Sequence, residues 1–299
     1  MIKELHSNFI DKRKWDILVS LDPHHKVYAM SWFLDAITNN DWHCLVLDDY
    51  SAVMPFVVKR KYGLSYCYMP MFAQQFSVYG APEHSGTFVD ILRKKYKYAE
   101  LCFSDTDFIP KDFGFIDQRV KSNYILSLSK DYTDLYGLYS KKHQASLSKY
   151  SKERYTYELA EDIKPLLHIF RKEKKEVYSS GQMNQLLNNI EHIYDAARKK
   201  GVSRLYQAKD NGEVIGGAFF VLDGQRIYYF FGVSEKNGVS FVILDRLIRE
   251  YAGSDLTLDF EGSDNPGIAH FFKGFGAMNE PYTVVKWNDL PFWIKWIKN

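Results

Sequence analysis

The sequence predicts a mixed α/β fold built from two copies of one unit, and three observations support this prediction. The chain has 299 residues, more than one hydrophobic core usually holds. Its 46% hydrophobic and 25% charged residues are typical of a folded protein and exclude disordered and fibrous classes. An internal repeat divides it into two parts, in each of which strand-like apolar runs alternate with helical periodicity.

The repeat appears when residues 48–55 are set above residues 210–217, a shift of 162 positions. Both segments carry turn residues that lead into an apolar strand, and Asp210-Asn211-Gly212 is a strong hairpin signal. The same ungapped shift sets residues 66–70 on residues 228–232, of which the first four are aromatic. Two strands and their turn therefore recur at one separation.

Helices and further strands complete each copy. Helical periodicity predicts helices over residues 12–18, 31–38 and 85–96 in the first copy, and over 163–175, 183–200 and 239–251 in the second. Strands are predicted over 99–103, 124–128 and 255–260. A strand, helix, strand passage implies a crossover between parallel strands. We expect a first domain over residues 1–133 and a second over residues 134–299.

Charge and cysteine usage limit the functional classes. A formal net charge of +2 is too balanced to require nucleic acid, and we expect no DNA partner. Cys44, Cys67 and Cys102 form no CxxC pair and are expected to be buried thiols in a reducing compartment. The pair His24-His25 lacks partners at metal-ligand spacing, and no metal site is predicted.

No apolar run is long enough to span a bilayer, so we expect a cytoplasmic protein without integral membrane association. The aromatic and cationic residues 290–298 fit either contact with a membrane surface or docking of a terminal element on the domain. Serine-hydrolase elbows, Walker loops, zinc-protease motifs and dinucleotide fingerprints are absent from the sequence.

Candidate catalytic residues concentrate in the last third of the chain. In Asp259-Phe260-Glu261, the two-residue period of a strand puts both carboxylates on one face. Neighbouring carboxylates at a cleft can differ in pKa, so that one accepts a proton from an attacking amine. Alternatively, Asp259 ends the strand, and Glu261 caps the next helix or pairs with a lysine. That helix is predicted to begin near Pro266 and to end at Phe272-Lys273-Gly274.

The order of elements and the segment 259–277 resemble the FemAB-like transferases, which are tandem GNAT (GCN5-related N-acetyltransferase) proteins. The resemblance covers nearly the whole chain in layout, with a weaker motif over residues 54–75. It implies two tandem GNAT-like domains, each with a mixed, mostly antiparallel sheet flanked by helices. The first would form a groove without catalysing, and the second would be catalytic.

The resemblance implies an amide-forming N-acyl or aminoacyl transferase whose small-molecule or peptide amine acceptor binds between the domains. It assigns Phe272 as an aromatic platform near the tRNA 3′ end and Lys273 as the stabiliser of the developing oxyanion. Asp259 or Glu261 would assist deprotonation of the amine. Gln74 and Gln75 would bind polar substrate groups, although they are equally explained as loop residues.

The resemblance leaves two donors open, acyl-coenzyme A (acetyl-coenzyme A included) and aminoacyl-tRNA. GNAT enzymes hold the coenzyme A pyrophosphate with an Arg/Gln-x-x-Gly-x-Gly/Ala loop. Residues 234–240 occupy this position, where Ser234, Gly238 and Ser240 are the donor-binding candidates but only Gly238 matches the motif. A protein that kept the groove and lost its donor site would be a non-catalytic binding module, which is the alternative function.

A charged tRNA partner would favour basic residues beside the cleft. Two clusters qualify, although a charge run of this kind is more often a solvated helix face. They comprise Lys141, Lys142, His143, Lys149, Lys152 and Arg154, and Arg171, Lys172, Lys174 and Lys175. Many relatives of this layout carry Asn-x-x-Arg where this chain has His143-Gln144-Ala145-Ser146.

Overall fold

The computed structural model describes residues 1–104, 116–152, 155–262 and 264–291. Arg154, Ser263 and most of the predicted interfacial segment 290–298 lie outside these ranges. The chain forms two compact units. Unit 1 comprises Met1–Lys121 and Pro281–Asn299, and unit 2 comprises Ser122–Glu280.

Unit 1 begins with an edge strand and a helical pair, followed by an antiparallel meander and a crossover helix. Its elements are β1 (Ile2–His6), α1 (Lys12–Leu21), α2 (Ser31–Thr38), β2 (His43–Leu47), β3 (Ala52–Lys61), β4 (Leu64–Tyr68), α3 (Ser85–Lys95), β5 (Tyr98–Ser104) and β6 (Ile116–Lys121). The Asp11 carboxylate caps α1 by accepting the backbone N–H groups of Arg13 and Lys14. In the core, Phe88 and Leu92 of α3 are fully buried against the sheet.

Unit 2 opens with a strand and two short helices and then repeats the same order. Its elements are β7 (Tyr124–Ser127), α4 (Tyr132–Gly137), α5 (Lys141–Tyr150), β8 (Thr156–Leu159), α6 (Lys164–Glu173), α7 (Ser180–Lys199), β9 (Ser203–Asp210), β10 (Glu213–Leu222), β11 (Arg226–Ser234), α8 (Val239–Tyr251), β12 (Thr257–Asp259), α9 (Pro266–Lys273) and β13 (Met278–Asn279). Asn211 and Gly212 both have positive φ between β9 and β10, as a two-residue hairpin requires. In the core, Ile243 and Leu247 of α8 are fully buried against the sheet.

The last strand, β14 (Tyr282–Asn288), joins the sheet of unit 1 between β5 and β6. The order in unit 1 is β1-β2-β3-β4-β5-β14-β6, and unit 2 runs β8-β9-β10-β11-β12-β7-β13. Each sheet is an antiparallel meander with one parallel pair, β4 with β5 and β11 with β12. The predicted fold, two mostly antiparallel mixed sheets flanked by helices, is confirmed.

The division of the chain differs from the predicted split at residue 133. Strand β7, expected to close the first domain, pairs with β12 and β13 in unit 2. Strand β14, expected in the second domain, pairs with β5 and β6 in unit 1. Each sheet is thus completed by a strand remote in sequence, which local pattern cannot predict.

The three cysteines are free thiols, with Cys44 and Cys67 buried and Cys102 half-buried. Within the described ranges, no helix combines the length and the apolar character needed to cross a bilayer.

Candidate active site

The candidate site lies in unit 2, where two parallel strands part. Strands β11 and β12 pair over three residues each, Arg226 to Tyr228 with Thr257 to Asp259. The register between β10 and β11 shifts at Phe230, which marks a bulge, a feature common beside active sites. Beyond the last pair, the two segments line a cleft of about 380 Å³. The lining residues are Tyr229, Phe230, Phe231, Gly232, Phe260, Glu261, Gly262, Ile268, Phe271 and Phe272.

Six of the ten described residues that line the cleft are aromatic. Phe272, the predicted platform, lies in the lining and is 5% exposed. Its ring centroid lies 5.0 Å from that of Phe260 and 6.2 Å from that of Tyr229, with the latter pair perpendicular. Such a surface suits a planar or apolar substrate group.

Glu261 is the one charged side chain among the described residues that line the cleft. It is half-buried, and its backbone φ of 64° lies in the left-handed region. For a residue with a β-carbon this conformation costs roughly 1–2 kcal/mol. Strain of this kind concentrates at functional sites, where neighbouring structure enforces it. The conformation places a carboxylate-bearing residue at the point where β12 has ended.

Asp259 lies in a different environment from Glu261. The predicted shared face would require the strand to continue, but β12 ends at Asp259 and Glu261 has left the extended conformation. Asp259 is 1% exposed, and its Oδ2 accepts a hydrogen bond of 3.0 Å from Nη1 of Arg226. Its Oδ1 accepts the backbone N–H of Glu261 at 3.0 Å. This geometry favours a positioning role for Asp259 over proton transfer.

Arg226 connects the start of β11 to two carboxylates. Besides Asp259, it donates to both carboxylate oxygens of Glu280, at 2.8 and 2.6 Å. The Arg226 side chain is 16% exposed, so these ion pairs are largely desolvated. Sequence reasoning missed Arg226 and Glu280. The available signal was that Arg226 is the only charged residue in the strand RIYYFFGVS.

Helix α9 presents its last two residues differently. Asn265 caps the helix by accepting the N–H groups of Gly267 and Ile268. Phe271 and Phe272 line the cleft, and Lys273 does not. Lys273 is exposed and outside the lining, and its Nζ lies 5.3 Å from the ring centroid of Tyr124. Its predicted role at the oxyanion stays a prediction.

His143 supports the end of α9, whereas the lysines that the sequence grouped with it on α5 are exposed. It is 3% exposed, and its Nε2–H donates to the carbonyl oxygen of Phe271 at 2.8 Å. Its Nδ1 therefore accepts from Ser140 Oγ, 3.0 Å away. A β-carbon on Gly274 would lie 1.9 Å from the imidazole Cε1, so only glycine permits this packing. Burial lowers the pKa of His143 from 6.5, which favours the neutral ring.

The three predicted donor-binding residues are engaged within unit 2. Ser234 Oγ donates to the carbonyl oxygen of Lys236 at 2.6 Å and accepts that residue's N–H at 3.1 Å, which closes the turn. Ser240 hydrogen-bonds to the hydroxyl of Tyr229. Burial raises the pKa of Tyr229 to about 12, although this hydrogen bond acts to lower it. Gly238 is the N-cap residue directly before α8, and its backbone φ is 90°.

Tyr150 covers this glycine. A β-carbon at Gly238 would lie 2.1 Å from Cγ of Tyr150, so the ring occupies the space directly beside the glycine. The ring also packs near Phe241, with centroids 5.9 Å apart, and Lys149 Nζ lies 5.3 Å from its centroid. Sequence reasoning missed Tyr150, because it comes from the end of α5 and carries no motif of its own.

Gln74 and Gln75 lie in unit 1, after β4, and not in the unit 2 cleft. Gln75 is 3% exposed, and its Nε2 donates to Oε1 of Gln74 at 2.7 Å. Their predicted contact with substrate stays a prediction. On α6, Arg171 and Lys172 are exposed, and Lys172 pairs with Glu235 at 2.6 Å.

One family model matches part of the chain. Residues 131–272, from α4 to α9, match the model described as acetyltransferase (GNAT) domain. The matched region lies within unit 2 and makes up most of it. No curated protein matches the sequence.

Solved structures extend the likeness to both units. FemX is 13% identical, with a TM-score of 0.62, and the alignment covers 94% of this chain and 96% of that one. A conserved protein of unknown function from Bacteroides thetaiotaomicron is 10% identical, with a TM-score of 0.66 and coverages of 95% and 99%. A tandem GNAT protein from the clavulanic acid biosynthesis pathway is 11% identical, with a TM-score of 0.55 and coverages of 97% and 99%. The chain therefore has the tandem GNAT fold, as the sequence resemblance predicts.

Proposed function

We propose that this protein forms an amide bond by transferring an acyl or aminoacyl group to an amine acceptor in the cleft between β11 and β12. One observation carries the proposal: Glu261 bears the one charged side chain among the described residues that line this mainly aromatic and apolar cleft. A carboxylate there is suited to accept the proton that an amine loses when it attacks a carbonyl carbon.

Amide formation would proceed through a tetrahedral intermediate. The amine nitrogen bonds to the acyl carbonyl carbon and passes a proton to Glu261, which leaves a tetrahedral oxyanion. Collapse of this intermediate breaks the bond to the leaving thiolate or ribose oxygen, which takes the proton back. Phe272 would contact the acyl group or its carrier, and Lys273 would stabilise the oxyanion after its ammonium leaves the Tyr124 ring.

We infer an aminoacyl-tRNA donor in preference to acyl-coenzyme A. A pyrophosphate group would approach the N–H groups at the start of α8, and the Tyr150 ring lies against Gly238 at this position. A tRNA donor bears its phosphates outside the cleft, where exposed lysines such as Lys141, Lys142 and Lys149 lie on α5 of the same unit.

A second function, a non-catalytic binding module, is favoured by the same ring, because Tyr150 blocks a phosphate site without supplying another. The two functions differ in turnover. The module would bind a ligand saturably without transferring any group.

The experiment uses hydroxylamine as a small amine acceptor, with radiolabelled bulk aminoacyl-tRNA or acetyl-coenzyme A as donor. Hydroxamate formation above the protein-free rate is expected with aminoacyl-tRNA. Glu261→Gln should lower this rate by about 100-fold or more. The control is Glu158→Gln. Glu158 is an exposed residue of β8 that pairs with Lys209. Equal rates for the two variants would remove Glu261 from the mechanism, and binding without transfer by the wild type would support the module.

A further inference from the structure

Two histidines and an aspartate come together at the edge of the unit 1 sheet. His6 on β1 and His43 on β2 are directly opposite in the antiparallel register. Their ring centroids are 5.0 Å apart, with the ring planes perpendicular. Asp41, just before β2, places its Oδ1 3.3 Å from Nε2 of His6. One ligand atom from each residue lies within 4.8 Å of the other two.

We propose that His6, His43 and Asp41 bind a divalent transition-metal ion of the zinc type. Two imidazoles with one carboxylate are a donor set that suits Zn²⁺ and other late first-row ions, whereas Mg²⁺ and Ca²⁺ prefer oxygen ligands. With bonds of about 2.0–2.1 Å, the ligand atoms of a tetrahedral zinc site are roughly 3.3 Å apart. The His6 and Asp41 atoms already have this separation.

The hydrogen bonds around His6 place its ring proton between Nε2 and Asp41. Nδ1 of His6 accepts the backbone N–H of Asn8 at 3.3 Å, so the neutral ring carries its proton on Nε2, which donates to Oδ1 of Asp41 at 3.3 Å. A metal ion would take the place of this proton between the imidazole and the carboxylate, because a histidine ligand binds through a deprotonated nitrogen. The ring proton would then lie on Nδ1, facing Ser7 Oγ 3.4 Å away, and the hydrogen bond from Asn8 would be given up.

Outer contacts hold His43 in place. Its ring stacks on Phe56 with centroids 5.6 Å apart. Its Nδ1 lies 3.7 Å from Oε1 of Glu4, beyond hydrogen-bond distance but in the direction from which a carboxylate supports a ligand histidine. Glu4 is itself held by Lys95 Nζ at 2.6 Å and by the hydroxyl of Tyr96 at 2.8 Å. These contacts orient the histidine before any metal arrives.

A metal at this position would fasten the first strand to its sheet. β1 is the edge strand of unit 1, paired on one side with β2. The ion would join β1, β2 and the turn before β2 by three side chains. Binding to the folded state alone raises apparent stability by mass action.

The test is zinc titration of the untagged, chelator-treated full-length protein by calorimetry, with Co²⁺ absorption as a report of coordination geometry. We expect one saturable site per chain and a higher Tm with Zn²⁺. Asp41→Asn should weaken binding by about 10-fold or more, and its side chain is 74% exposed, so the fold is retained. His43→Ala should weaken it further, and Glu4→Gln by about 10-fold.

The matched control is His24→Ala, an exposed histidine elsewhere in unit 1, which should leave zinc affinity unchanged. The proposal fails if the wild type shows no saturable zinc site. It also fails if Asp41→Asn and His24→Ala bind zinc with the wild-type affinity.

Discussion

Replacing Arg226 by methionine tests whether its ion pairs hold the base of the cleft together. Methionine keeps much of the aliphatic volume and removes the guanidinium. The change leaves Asp259, which is 1% exposed, with the N–H of Glu261 as a remaining hydrogen-bond donor and without its cation. The carboxylate lies at the last paired residue of β12, so its rearrangement would act directly on Glu261.

The expected cost follows from burial. Removing one partner of a buried ion pair typically destabilises a protein by about 3–5 kcal/mol, because the other charge is left uncompensated. A domain is stable by roughly 5–15 kcal/mol, so unit 2 would lose a large share of its stability. Adding Asp259→Asn removes the stranded charge, and the double variant should recover about 1–3 kcal/mol.

Urea unfolding measures these differences. The segment 122–280 that forms unit 2 contains no tryptophan, whereas Trp15, Trp32, Trp42 and Trp287 lie in unit 1. Tryptophan emission therefore does not follow the unfolding of unit 2, and far-UV circular dichroism reports both units. The control is Arg198→Met, which breaks a 3.2 Å pair with Glu161 whose side chains are 55% and 85% exposed. That change should cost less than about 1 kcal/mol. If Arg226→Met costs no more than Arg198→Met, the buried pair does not hold the cleft.

Three further outcomes are expected. Tyr150→Ala uncovers Gly238 and should tighten coenzyme A binding, measured by calorimetry, by about 10-fold, or roughly 1.4 kcal/mol. Unchanged affinity would show that phosphate does not approach the start of α8. Glu261→Gly removes the steric cost of the positive φ, so the free energy of unfolding should stay level or rise by about 1 kcal/mol, while the rate of acyl transfer falls. A clear loss of stability would show that the Glu261 backbone is not strained. Burial lowers the pKa of His143 below its unfolded value of 6.5, so its contribution to stability is complete above pH 6.5 and declines as the pH falls through the lowered pKa. His143→Gln should therefore lose less stability than the wild type between pH 7 and 5, and equal losses would rule His143 out as the titrating group.

Short-range signals predicted much of the fold. The predicted helix over residues 239–251 is α8, Val239–Tyr251, and the helix over 31–38 is α2, Ser31–Thr38. The hairpin signal Asn211-Gly212 lies between β9 and β10. Helical periodicity and turn chemistry depend on neighbours within a few residues, so one sequence is enough to read them.

The same local signals mark part of the cleft lining. The segment 259–277 is predicted to carry the chemistry, which stays a prediction, and Glu261 and Phe272 from it line the cleft. The pairing of Asp259 with Arg226 was not foreseen, since the two residues are brought together by the parallel pairing of β11 and β12. A two-residue period also fails where a strand ends, as it does before Glu261.

The sequence by itself determined the duplication, the two mixed sheets and the segment that holds Glu261 and Phe272, because each depends on local pattern or on a repeat visible in the chain. Tertiary structure alone decided that β14 completes unit 1, that Tyr150 covers Gly238, and that His6 faces His43. A sheet edge presents the same N–H and C=O groups to any strand, so packing across the whole chain selects its partner. Contacts between residues far apart in sequence follow from that selection and leave no local pattern.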